Sequence, residues 1–176
     1  RTGGLADGLD SRRVKGRIFC RCELSAPWAI GLAAGDFSHF HIIERGTCWL
    51  RLHGERDAIA LEQGDLLLVI RGRGYQLSDD PGTPPIPLED LAGGSEWGLH
   101  AVLRHGGGGN AANLLCGAFE FEGLQAQSFL RVLPEWIRVR KDERRGNEWL
   151  ESTARFLLRE TQHPGMGAGT IVTSLI

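Results

Sequence analysis

The chain has 176 residues, 20 basic and 22 acidic side chains for a net charge of -2, and 41% hydrophobic residues. Those figures fit one domain with a proper core, and the balanced charge without a long basic run argues against nucleic-acid binding by this segment. No apolar stretch reaches membrane-spanning length, and residues 1–16 lack the apolar region of a signal peptide, so a cytoplasmic location and no membrane partner are expected.

Residues 1–16 are polar and glycine-containing, and read as a flexible N-terminal segment. From 17 to 122, short apolar runs alternate with turn residues, the pattern of an antiparallel barrel or sandwich. Arg17 to Leu24 alternates, which puts Ile18, Cys20, Cys22 and Leu24 on one face of a strand. Pro27 breaks the run, Trp28 to Ala33 is a second strand, and Gly35-Asp36 supplies a turn. The His39 strand follows, with His39 and His41 two residues apart and so on one face. Gly46 turns it into Thr47 to His53, and Ala58 to Leu61 is short and apolar.

Gly64-Asp65 opens Leu66 to Ile70, a continuous apolar run of the kind buried on both sides, and Arg71-Gly72-Arg73-Gly74 ends it before Tyr75-Gln76-Leu77. Residues 79–95, with Pro81, Pro84, Pro85 and Pro87, predict an ordered loop passing over the barrel. Glu96 to Leu103 is another strand, Gly106 to Gly109 a flexible turn, and Asn113 to Glu122 the strand that closes the sheet.

From 123 to 176 the period changes. Leu124, Phe129, Leu130 and Leu133 predict a short helix stopped by Pro134, with Trp136, Ile137 and Val139 extended beyond it. Arg138 to Arg145 mixes bases with acids and reads as a solvated connection. Asn147 caps a helix running from Glu148 to Gln162, and a further helix begins near Ala168. Helices with an apolar face to spare predict a dimerisation segment and hence a homodimer. A sequence that begins with Arg1 and stops at Ile176 inside an apolar run reads as a piece of a longer chain.

The four cysteines, Cys20, Cys22, Cys48 and Cys116, form no paired CxxC knuckles, which excludes a zinc ribbon, and a reducing cytosol argues against a static disulfide framework. Cys20 and Cys22 share a face, as do His39 and His41. If their strands are neighbours, these four donors can close a tetrahedral Cys2His2 zinc site with bonds of about 2.0–2.3 Å. The same sulfurs support a second chemistry, a redox switch, in which Cys116 on the closing strand meets Cys22 or Cys20 and forms a reversible disulfide. Trp28, Trp49, Tyr75 and Phe119 are candidates to line a pocket for a small organic effector. Ordinary core packing competes with all three readings, and it is the reading adopted for Cys48 beside Trp49. No Ser-His-Asp order, P-loop or dinucleotide fingerprint makes a case for enzymatic turnover.

The series Pro27-Trp28, Phe40-His41 to Gly46, Cys48-Trp49-Leu50, Gly64-Asp65 and Arg71-Gly72-Arg73 continues through Asp80-Pro81-Gly82-Thr83-Pro84-Pro85, Leu115-Cys116-Gly117-Ala118-Phe119 and Leu133-Pro134-Glu135-Trp136-Ile137. In that order and spacing it resembles the N-terminal cupin-type sensor domain of AraC-type transcription regulators. The resemblance implies a mainly β fold, a cupin-like antiparallel β-barrel (jelly roll) followed by helices. It also implies a sensory half that switches rather than catalyses, and that reaches DNA only through a C-terminal domain not in this chain. The alternative is a small metal-dependent cupin enzyme. Such enzymes typically carry two histidines and a glutamate in the first motif and a third histidine ending the second. Here Tyr75 stands at that last position, and Glu44 follows His41 too closely and reads as a turn residue.

Overall fold

Period-two alternation punctuated by glycine turns produces most of the architecture. The computed structural model describes residues 14–35, 37–70, 72–91, 101–121 and 124–145. The expected strands form as β1 (Val14–Ser25), β2 (Ala29–Leu32), β3 (Ser38–Arg45), β4 (Cys48–Leu52), β5 (Ile59–Leu61), β6 (Leu66–Val69) and β7 (Tyr75–Ser78). The proline-rich excursion holds a two-residue strand, β8 (Ile86–Pro87), and one helical turn, α1 (Leu88–Leu91). Then come β9 (Ala101–Gly106), β10 (Ala111–Phe121), α2 (Leu124–Val132), β11 (Trp136–Val139) and α3 (Lys141–Arg145). As expected, α2 stops just before Pro134 and β11 is extended. The helices expected at 148–162 and from 168, and the dimerisation assigned to them, lie outside the described residues.

The strands form two sheets, one in the order β11-β6-β3-β10-β1-β9 and one in the order β5-β4-β7-β2-β8. This corrects the closed antiparallel barrel in three respects. Among the described residues no ladder joins the two sheets into a cylinder. β9 runs parallel to β1 and β8 parallel to β2. And β10 is not a closing strand: it lies between β3 and β1 at the centre of its sheet, antiparallel to both.

The core fills the space between the sheets. Leu24, Ile43 and Leu114 from the larger sheet meet Ile30, Leu50 and Leu77 from the smaller, each burial contributing about 1.5–3 kcal/mol. Phe40, Ile42 and Leu115, on the other face of β3 and β10, are buried too, and Leu66 and Leu67 confirm a run covered on both sides. Along β1, Arg21 and Glu23 alternate with the buried Cys20, Cys22 and Leu24. Glu44 lies within β3 rather than in a turn, because Arg21 of β1 pairs with it at 3.1 Å.

Two turns fix the frame. Gly46 joins β3 to β4 at φ 79°, and a Cβ there would sit 2.5 Å from the carbonyl oxygen of Ala111, so both conformation and space require glycine. Asp65, in the Gly64-Asp65 turn before β6, is buried and accepts the amide of Glu62 at 2.9 Å. Arg138 of β11 reaches the same carboxylate at 2.7 Å. The run 138–145 is therefore not simply a solvated connection: its first residue ties the last strand to the sheet by a largely buried ion pair. Gly46→Ala is expected to cost about 1–3 kcal/mol from backbone strain and overlap, read as a lower urea midpoint with unchanged slope.

Candidate functional site

The place of β10 between β1 and β3 assembles the chemistry. Its register sets Cys116 opposite Cys20 on one side and opposite His41 on the other, with Ala118 opposite His39. Residues paired across a ladder project from the same face, and their i, i+2 neighbours join them. The interior face of three strands thus carries Cys20, Cys22, Cys116, His39 and His41, while β7 brings Tyr75 from the facing sheet.

The contacts form a string. Cys20 Sγ lies 3.8 Å from Cys22 Sγ, and Cys22 Sγ lies 3.9 Å from Cys116 Sγ. Cys116 Sγ is 3.0 Å from His41 Nδ1, and His41 Nε2 is 2.6 Å from the hydroxyl of Tyr75. A neutral imidazole offers one donor and one acceptor, so His41 spends both nitrogens on these neighbours. Tyr75, expected to stand where a metal-dependent cupin carries its third histidine, is thus the hydrogen-bond partner of His41. His39 packs against the same ring, with centroids 5.9 Å apart, and its buried Nδ1 has no hydrogen-bond partner among the described residues.

Cys20, Cys22, Cys116, His39 and His41 line a partly enclosed cavity of about 90 Å³, roughly the volume of three waters. Ile30, Leu32, Leu77 and Leu88 supply apolar wall, and among the described residues no charged side chain lines it. Electrostatics follow from that enclosure. Burial pushes His41 down to about 3, with His39 adding repulsion, and burial lowers His39 as well. The Cys20 thiol is held well above its ordinary range by its contact with Cys22 and then by burial; Cys22 is raised first by Cys116, with burial adding. Burial raises Tyr75, and Cys116 adds to it. At neutral pH Cys20, Cys22, His41 and Tyr75 are all uncharged.

The four residues expected to hold zinc, Cys20, Cys22, His39 and His41, share this cavity. They do not fit a Cys2His2 centre as placed. His41 turns its two nitrogens to Cys116 and Tyr75, and among the described residues no group of three or more His, Cys, Asp or Glu side chains converges on a metal position. The pair expected for redox chemistry, Cys22 and Cys116, is in van der Waals contact. Cys48 is core, as expected, and burial next to Asp65 pushes its thiol up to about 12.

Among the described side chains, Trp28, Trp49 and Tyr75 do not line the cavity expected for an effector. Trp28 is a fully buried core residue, and Trp49 points away from the interior because Cys48, Leu50 and Leu52 take the inward positions of β4. Phe119 keeps its strand position opposite Ser38, but its side chain lies outside the described ones. Tyr75 is present through His41. The His41–Cys116 and His41–Tyr75 contacts were not anticipated from sequence; Tyr75 at a histidine's position was the available signal.

Two outcomes follow from this cluster. Tyr75→Phe leaves a buried nitrogen of His41 without a partner and is expected to cost about 1–3 kcal/mol, read by urea denaturation. Because the folded state holds His41 and His39 neutral, the unfolded chain binds more protons below its histidine value of 6.5. Stability is therefore expected to fall as pH drops from 6.5 toward about 3, by roughly 1.4 kcal/mol per pH unit for each proton. Denaturation midpoints across that range check the slope, which His41→Gln makes shallower.

Comparison with known proteins agrees with this architecture. A family model described as Cupin matches residues 4–176. A protein of Streptomyces lividans named as an AraC-like transcription regulator is 28% identical over 138 residues, 78% of this chain and 44% of its own length. An HTH-type transcriptional regulator of Haemophilus influenzae is 24% identical over 166 residues, 93% of this chain and 52% of its own. A second AraC-like regulator, from Streptomyces antibioticus, is 25% identical over 135 residues, 77% of this chain and 43% of its own. The chain thus spans about half the length of the relatives it matches. With a mainly β fold of two facing sheets and a family match over nearly its whole length, the chain belongs to the cupin family.

Proposed function

We propose that this chain is the signal-receiving domain of an AraC-like transcription regulator, and that its signal is oxidation of Cys116 and Cys22 to a disulfide. The carrying observation is the string Cys22–Cys116–His41, with sulfurs 3.9 Å apart and the outer sulfur 3.0 Å from an imidazole. Cys116 is half-buried whereas Cys20, Cys22 and Cys48 are buried, so Cys116 meets the oxidant first. Its sulfur attacks an oxygen of the oxidant. With hydrogen peroxide the O–O bond breaks, a sulfenic acid forms on Cys116 and one water leaves, carrying the thiol proton. Cys22 sulfur then displaces the hydroxyl of that sulfenic acid, which leaves as the second water with the Cys22 thiol proton, and the S–S bond forms, so two thiols give up two electrons and the peroxide takes them.

Cys22 faces Leu114 and Cys116 faces Cys20, so the two are diagonal neighbours in the ladder; at the roughly 7–8 Å usual for such neighbours, wider than the roughly 4.4–6.8 Å Cα span of a disulfide, closing the bond draws β1 and β10 together there. β10 is hydrogen-bonded to β3, β3 to β6 and β6 to β11, which leads into the C-terminal segment. That ladder is the route by which the bond would bias a dimerising helical segment, and through it a DNA-binding domain outside this chain. The domain switches and does not catalyse. The cavity, about 90 Å³, falls short of the roughly 300 Å³ or more of a pocket for a drug-sized organic effector. Peroxide treatment followed by non-reducing peptide mapping is expected to recover a Cys22–Cys116 linkage that dithiothreitol reverses and that Cys22→Ser or Cys116→Ser abolishes. Oxidation that stops at unlinked cysteines would sink the proposal.

A further inference from the structure

Resting on that reading, we infer that the cavity selects the oxidant: it admits small, uncharged two-electron oxidants and excludes bulky or charged ones. The argument comes from the walls rather than the sulfurs. A partly enclosed volume of about 90 Å³ takes in a molecule of a few heavy atoms, hydrogen peroxide in size, but not the whole of an aryl hydroperoxide or a peptide disulfide. Ile30, Leu32, Leu77 and Leu114 make most of the surface apolar, and among the described residues no lysine or arginine reaches it. An anionic oxidant would lose its hydration there and find no cation in return. The groups that can hydrogen-bond a small neutral guest are present: His39 Nδ1 is buried without a partner among the described residues, and His39 and Cys116 line the same space.

Access runs past the half-buried members of the wall, Cys116, His39 and Leu88. Leu88 belongs to the single turn α1 and makes no part of the sulfur string. Among the apolar side chains of the wall it is the half-buried one, where Ile30, Leu32, Leu77 and Leu114 are buried.

The test compares hydrogen peroxide, cumene hydroperoxide and glutathione disulfide, which is large and anionic. For each, the rate of Cys22–Cys116 linkage is divided by its rate with N-acetylcysteine at the same pH. Hydrogen peroxide is expected to exceed the other two by at least about tenfold on this relative scale, because burying charge or excess bulk is costly. Leu88→Ala is expected to raise the cumene hydroperoxide rate and leave that of hydrogen peroxide unchanged. The same comparison on the chain unfolded in urea is expected to erase the discrimination, so the inference does not hang on one variant. Equal relative rates for all three reagents on the folded chain would overturn the selectivity and leave the disulfide switch standing. Absence of the linkage with every reagent would overturn both.

Discussion

The register of β10 against its two neighbours is the constraint on which the interior depends. One residue, Cys116, faces Cys20 across one ladder and His41 across the other, and the alternation of strands then decides everything on that face. A slip of one residue along either ladder would send sulfurs or imidazoles outward and bring Arg21 and Glu44 in. Their ion pair on the opposite face is therefore as much a statement of register as the buried cluster is. Such a partly exposed pair adds little stability by itself, but placing it inside would be prohibitive.

Within that register the molecule holds a line of polar groups in apolar surroundings while keeping them uncharged. Cys20 is driven toward the neutral form by Cys22 and burial, Cys22 by Cys116 and burial, His41 by burial and His39, and Tyr75 by burial and Cys116, and the contacts from Cys22 through Cys116 and His41 to Tyr75 keep the line from being a set of orphans. His39 is the exception, with one buried nitrogen unsatisfied among the described residues. An imidazole left short of a partner beside three sulfurs is where a polar network of this kind is expected to hold its function.

Much of this was legible in the sequence, for reasons that also explain what was not. Strand positions followed from alternation and turns: Gly46, Gly64-Asp65 and Pro134 each ended or opened an element where expected. The sharing of faces by Cys20 with Cys22 and by His39 with His41 is a property of a single strand, so it could be read locally. Which pairs meet is a property of sheet order, and no local pattern revealed that β10 lies between β1 and β3. That is why a zinc centre of two pairs was a natural expectation and why the contact of His41 with Cys116 was not. Arg138 escaped for the same reason, since the charge run around it looks solvated until the chain folds back to set it on Asp65.

That ion pair has a consequence for how β11 is held to its sheet. Asp65 is nearly sealed from water and Arg138 largely so, whereas Arg73 with Glu55 and Glu135 forms pairs open to solvent. Dissolved salt weakens the open pairs and scarcely reaches the sealed one. β11 therefore hangs on its sheet by a joint whose grip is insulated from the ionic composition outside. The last described strand thus stays tied to the sandwich at salt concentrations that loosen the pairs around Arg73.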